Sequence, residues 1–177
     1  MIKYRSELYK LLPENSQIAE LGCAEGYFSA DILKWPNTGR LYMVDLWSTI
    51  PNQFGDGSSP QGWHDKNYLD AMDRVLSASD RVTVLRGLTW DMAAKVPNES
   101  LDMVYLDACH TYDCVLADLR AWVGKVKPGG VIAGHDYLNR AYGVFDAVQT
   151  FASGYSVTVN TIPENKDEDA GFYFMTK

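Results

Sequence analysis

Five short apolar runs recur along the chain, each followed by a stretch with helical spacing, and this alternation restricts the fold more than any other feature. The runs are Gln17–Leu21, Arg40–Asp45, Arg81–Leu85, Leu101–Asp107 and Val131–His135. Apolar strands separated by helices predict a parallel sheet with both faces covered. The clearest helix is expected over Tyr112–Val126, where Val115, Leu116, Leu119, Trp122, Val123 and Val126 recur on one face. Its Asp118 and Arg120 read as a solvated face. The helix should stop at "KPGG", Lys127–Gly130, which also reads as a turn. Leu69, Met72, Val75 and Leu76 suggest a second stripe, and Lys3–Leu12 a short N-terminal helix ended by Pro13.

The C-terminal part breaks the alternation. "YSVTVNTI" and "AGFYFMTK" are β-rich runs separated by the acidic "PENKDEDA", and they predict a closing antiparallel pair with an exposed, mobile connection. The fold class is therefore α/β, a Rossmann-like doubly wound sheet, mostly parallel, with an antiparallel C-terminal strand. Residues 1–177 should form one domain, since this length supports a single core. The segment Trp47–Trp63, "WSTIPNQFGDGSSPQGW", is too rich in Gly, Ser and Pro for regular structure, yet carries aromatic residues. Such a loop in a compact domain reads as a lid or substrate loop.

The formal net charge of −7 argues against a nucleic-acid partner, because binding phosphates takes clustered Lys and Arg. Three cysteines, Cys23, Cys109 and Cys114, form no metal-binding pair and no disulfide framework. The opening "MIKYRSELYKLL" does not read as a signal peptide, and no stretch is long and apolar enough to span a membrane. A soluble, cytoplasmic protein is the expectation.

In open parallel sheets, ligands bind beyond the carboxyl ends of the strands. Four of the five strand ends here carry an ionisable side chain: Glu20, Asp45, Asp107 and the pair His135–Asp136. The first strand leads into "ELGCAEG", whose Gly22-x-x-x-Gly26 spacing departs from the dinucleotide pattern and puts Ala24 where that pattern needs a glycine. A carboxylate such as Glu20 is a poor neighbour for a pyrophosphate and a good one for an ammonium or a cation. Asp45, at the tip of the second strand, stands where a carboxylate can accept ribose hydroxyls. A ligand with a ribose, an ammonium and a positive sulfur but no phosphate meets these demands, and S-adenosylmethionine is that ligand.

"IAELGCAEGYFSADIL", "LYMVDLW", "LDMVYLDACHTYDCVLADLRAWVGKVKPGGVIAGHDY" and "GVFDAVQTF" together resemble the class I S-adenosylmethionine-dependent methyltransferases. The likeness is strongest to the small-molecule branch that includes macrocin-type sugar O-methyltransferases and, more distantly, catechol O-methyltransferase. It covers roughly Gln17–Phe151 and implies a seven-stranded sheet whose last strand is antiparallel. It also implies that Glu20, Gly22, Cys23, Ala24 and Gly26 hold the methionine end of the cofactor. Asp45 would bind the ribose, with Leu46 and Trp47 beside the adenine, and Gly87, Leu88 and Thr89 would complete the adenine turn. Asp107 would face the cofactor from the fourth strand.

"DACHTYD" and "GHDY" bring Asp107, His110, His135 and Asp136 to adjacent strand ends. Methyl transfer from a sulfonium to a hydroxyl requires alignment and removal of a proton. In the metal-dependent relatives, carboxylates at these strand ends hold magnesium. Asp107 and Asp136 match two such positions, and His135 stands where those relatives carry an acid or amide. One imidazole with two carboxylates suits manganese, iron or zinc better than magnesium. The divalent metal (Mg or Mn) is thus one reading; the other has Asp107 facing the cofactor and Asp136 capping a turn with no ion. His110 is a candidate general base, or else a hydrogen-bonded residue fixing the loop before its helix. His64, in the irregular loop, reads as a solvated histidine within reach of substrate.

The catalytic assignment is therefore His110, Asp107 and Asp136, acting on an oxygen of a small polar molecule, without nucleic acid or membrane as partner. A homodimer is one way such a compact domain could close its site. Two alternatives stay open: a catalytically silent cofactor-binding module acting through a partner, and an NAD-dependent dehydrogenase, which fits the fold but not Gly22-x-x-x-Gly26.

Overall fold

A computed structural model describes residues 2–50, 55–164 and 169–177. The expected lid loop and acidic connection therefore lie partly outside the described residues. Among the described residues, β1 (Ser16–Leu21), β2 (Thr38–Asp45), β3 (Val82–Arg86), β4 (Leu101–Leu106), β5 (Val126–Gly134), β6 (Asn160–Ile162) and β7 (Gly171–Met175) form one sheet of order β3-β2-β1-β4-β5-β7-β6. Strands β1 to β5 pair in parallel. β7 is antiparallel to β5, and β6 antiparallel to β7. The doubly wound reading and the closing antiparallel strands are thus both observed.

Helices cover the two faces and divide the interior into two layers. One holds Phe28, Ile32 and Leu33 of α1 (Tyr27–Lys34), Ala71 and Val75 of α2 (Gln61–Val75), and Leu8 of a 3₁₀ helix, Arg5–Leu11. The other packs Leu116, Leu119 and Trp122 of α4 (Tyr112–Trp122) with Val148 and Phe151 of α5 (Val144–Tyr155). A four-residue α3 (Thr89–Met92) follows β3. β4 is buried at every position, as a central strand with both faces covered must be.

Several expectations change. The N-terminal helix is 3₁₀ rather than α. α4 tightens into a 3₁₀ turn at Val123–Lys125, and Lys127–Gly130 lies within the bounds of β5, where the register with β4 shifts. The irregular segment ends earlier than expected, since α2 begins at Gln61 and takes in Trp63 and His64. The stripe expected over Leu69–Leu76 holds in part: Val75 is buried and Met72 packs against the core, but Leu69 and Leu76 are exposed, and His64, Asn67 and Ala71 share the inward face. Hydrophobic period misled here because two polar residues occupy the buried face. Asp118 is no solvated residue either, being 2% exposed on α4. Burial pushes its carboxyl up to about 7, against a hydrogen bond from Thr89 that pulls it down.

Candidate functional site

The loop from β1 into α1 is built on left-handed backbone. Gly22 has φ +85° and Gly26 φ +79°, with Ala24 at +43° between them. A Cβ on Gly22 would sit 2.1 Å from the carbonyl oxygen of Asp107, and one on Gly26 would sit 2.9 Å from Cα of Ala71. What approaches these glycines is therefore this chain itself. Gly22 lets the first loop lie against the end of β4, and Gly26 lets α2 lie against the start of α1.

Asp45, at the tip of β2, organises the same loop. Its Oδ2 accepts from the backbone N–H groups of Cys23 (2.8 Å) and Ala24 (3.0 Å), and its Oδ1 accepts from Trp47 N–H (2.8 Å). Trp47 is buried with φ +43°, a conformation costly for a bulky residue, and its indole Nε1 donates to the Ala24 carbonyl at 2.9 Å. Arg86, which the sequence did not single out, donates to the carbonyls of Leu46 (3.3 Å) and Trp47 (2.7 Å) from the end of β3. Across the sheet, Trp122 Nε1 donates to the Thr89 carbonyl at 3.0 Å and fixes the turn after β3.

These turns enclose a cleft of ≈ 810 Å³, open mouth included. Of the residues expected around a cofactor, it is lined by Gly22 and Ala24 from the first loop, Asp45, Leu46 and Trp47 after β2, Gly87, Leu88 and Thr89 after β3, and Asp107 after β4. Glu20, Cys23 and Gly26 lie outside its lining. Glu20 is 2% exposed beneath the loop, where Ser29 Oγ donates to its Oε2. Burial, abetted by the charges of Asp107 and Asp45, raises its carboxyl to about 8 despite that hydrogen bond. Burial likewise pushes the Cys23 thiol well up, so it stays protonated.

The reacting edge adjoins the cleft. Oxygens of Asp107 and Asp136 and a nitrogen of His110 all lie within 4.8 Å of one another. His110, not His135, supplies the imidazole of this group. His110 Nε2 is 3.1 Å from Asp136 Oδ2 and 3.5 Å from Asp107 Oδ1, close enough for attraction but not aligned for a hydrogen bond. His135 stands behind, its Nδ1 3.3 Å from the same Asp136 oxygen. Asp136 is held at φ +55°, another left-handed residue at the site. The His110 ring stacks on Tyr142, with centroids 4.7 Å apart, and its carbonyl accepts from Gly143 N–H. Arg5 brings a cation to 4.0 Å from Asp107 Oδ2 while lying over the Phe28 ring.

Desolvation pulls both imidazoles down, but the neighbouring carboxylates outweigh it and raise both. For His110 these are Asp107 and Asp136; for His135, Asp136 and Asp107. Asp136 shows the converse: burial raises its carboxyl, and the histidines beside it bring the net below the ordinary value.

His64 and Asn67 of α2 line the cleft too. The sequence reading placed the first in a loop and did not consider the second. Only the i, i+3, i+7 spacing with Ala71 could have shown that they share the inward face.

The family model described as "Methyltransferase domain" matches residues 19–137, two thirds of the chain. No curated protein sequence matches significantly. Among solved structures, the O-methyltransferase TomG from Streptomyces achromogenes, involved in tomaymycin synthesis and solved with S-adenosylmethionine, is similar at 17% identity and TM-score 0.67. That match covers 96% of this chain and 76% of TomG. An O-methyltransferase from Bacillus cereus, solved with S-adenosylhomocysteine, is similar at 16% identity and TM-score 0.66, covering 96% and 77%. An rRNA methylase from Streptococcus thermophilus is similar at 11% identity and TM-score 0.66, covering 96% and 91%. Strand order, the glycine-bearing loop after β1 and the family match agree: the chain belongs to the methyltransferase-domain family and is an S-adenosylmethionine-dependent methyltransferase.

Proposed function

We propose that the chain transfers the methyl group of S-adenosylmethionine to an oxygen of a small polar molecule. The observation that carries this reading is the His110 imidazole beside the carboxylates of Asp107 and Asp136, next to the cleft. Displacement at a sulfonium methyl leaves the acceptor hydroxyl with a proton to lose. A neutral His110 Nε2 takes that proton, and the two carboxylates stabilise the imidazolium that forms. Tyr142 holds the ring by stacking, so the nitrogen stays aimed at the acceptor. In the same reading Asp45 and the Leu46–Trp47 turn receive the ribose and adenine and Asp107 faces the methionine end, which their place in the lining of the cleft supports. A net charge of −7 favours a small acceptor over RNA.

Two carboxylates and an imidazole with convergent ligand atoms fit a divalent ion, and Asp107, His110 and Asp136 would hold it. Such an ion, when bound, would take up the His110 nitrogen in place of the base role above, and would itself lower the pKa of an acceptor hydroxyl and orient it. Transfer of labelled methyl to a panel of catechols, hydroxylated sugars and an RNA tests the reading, run with Mn²⁺, Mg²⁺ or EDTA. Label on a hydroxylated small molecule supports it. Label on RNA alone overturns the acceptor class, and no transfer by a protein that binds S-adenosylhomocysteine favours the silent module.

A further inference from the structure

We infer that His64 and Asn67, one turn apart on α2, bind the ribose hydroxyls of the cofactor alongside Asp45; this rests on the reading that S-adenosylmethionine occupies the cleft. Both side chains line that cleft, His64 at 7% and Asn67 at 3% residue exposure. His64 Nε2 and Asn67 Nδ2 are buried with no hydrogen-bond partner among the described residues. A buried polar atom left unpaired carries its full desolvation penalty. Two of them on one helix face, in residues that line one cleft, mark a place where a ligand supplies the partners.

The surroundings indicate which part of the ligand. His64, Asn67 and Ala71 share a face at i, i+3 and i+7, and Ala71 is the residue that Gly26 packs against, so this face looks onto the first loop. The start of α2 is also joined to the turn after β2. Gln61 Nε2 donates to the Trp47 carbonyl at 3.2 Å, and the Tyr68 ring meets Trp47 edge-on at 5.1 Å. His64 and Asn67 lie between Gln61 and Tyr68 along α2, and they line the same cleft as Asp45.

Asp45 alone is poorly equipped for a ribose. A carboxylate has about four lone-pair sites, and three are taken by Cys23, Ala24 and Trp47 N–H groups. A diol brings two hydroxyls, each a donor and an acceptor. The one remaining Asp45 site accepts from one hydroxyl, while the Asn67 amide donates to a hydroxyl oxygen and His64 Nε2 pairs with the other.

Calorimetry with S-adenosylhomocysteine and its 2′,3′-dideoxy analogue tests this on the full chain. Asn67→Leu is close in volume and removes the unpaired buried Nδ2, so it should fold with an undiminished melting temperature. It should bind S-adenosylhomocysteine at least tenfold more weakly and the dideoxy analogue as wild type does. His64→Gln, which offers a polar group in place of Nε2, should retain most of the affinity, and His64→Phe should lose it. Unchanged binding of S-adenosylhomocysteine by folded Asn67→Leu and His64→Phe overturns the inference. Equal losses for both ligands overturn the ribose assignment. A wild-type protein that binds neither ligand overturns the cofactor reading itself.

Discussion

His110 Nε2 lies 3.1 Å from Asp136 Oδ2, although the two residues leave different strands, β4 and β5. The parallel pairing of those strands, Leu106 opposite Gly134, brings the pair together. Both residues are held from outside the sheet, His110 by Tyr142 and Asp136 by its left-handed backbone. If Asp136 stabilises the imidazolium, Asp136→Asn should lower methyl transfer by about 10²–10⁴-fold, the range of general acid–base assistance. Affinity for S-adenosylhomocysteine should stay within threefold by calorimetry. Wild-type turnover in Asp136→Asn would remove the proton-transfer role.

Asp45 accepts three backbone N–H bonds before any ligand arrives. Asp45→Ala should therefore cost stability without cofactor, roughly 2–3 kcal/mol since hydrogen bonds to a charged group are the stronger kind. Urea midpoints of the ligand-free proteins measure it. An unchanged midpoint would show that the first loop does not depend on this carboxylate.

Glu20 makes stability depend on pH. Its ordinary value of 4.5 is raised to about 8 in the folded chain by burial. The folded state thus keeps a proton that the unfolded state has released, so stability falls as pH rises from 4.5 toward 8 and levels off above. The full effect is on the order of 5 kcal/mol. Glu20→Gln, which can still accept from Ser29, should flatten this slope and be more stable than wild type at pH 8 relative to pH 5. Denaturation at the two pH values decides it, and an equal difference at both would refute the buried acid as its source.

Two glycines should respond oppositely to alanine. Gly26→Ala adds a Cβ 2.9 Å from Cα of Ala71 at φ +79° and should destabilise by at least the ~1–2 kcal/mol of left-handed strain. Gly62, exposed on α2, has no atom of the described residues within 4 Å of a new Cβ. Gly62→Ala should stabilise by about 0.5–1 kcal/mol. At ~2–4 °C per kcal/mol for this chain length, calorimetric melting temperatures resolve both. A stabilised Gly26→Ala would contradict the packing of α2 on the first loop.

Much of the architecture is legible in the residues. β1, β2, β3, β4 and β5 follow from apolar runs because a central parallel strand must be apolar on both faces, as in β4. α4 follows from its stripe, with Thr111 capping it where the pattern begins. α2 was harder to read, since its inward face carries His64 and Asn67, its solvent side carries Leu69, and Leu76 is exposed just past its end. Periodicity reports burial only when the buried residues are apolar. Asp118 misled for the same reason in reverse.

By itself, the sequence determined the strand–helix alternation, the glycine spacing of the first loop, and the strand-end acids and histidines. Each depends on residue type and local spacing, which the chain carries wherever it folds. The tertiary structure alone decided that His110 rather than His135 joins Asp107 and Asp136, that α2 faces the cleft with two polar side chains, and that Gly22 and Gly26 admit β4 and α2. Those outcomes depend on parallel register and helix rotation, which are set by packing between segments far apart in the chain.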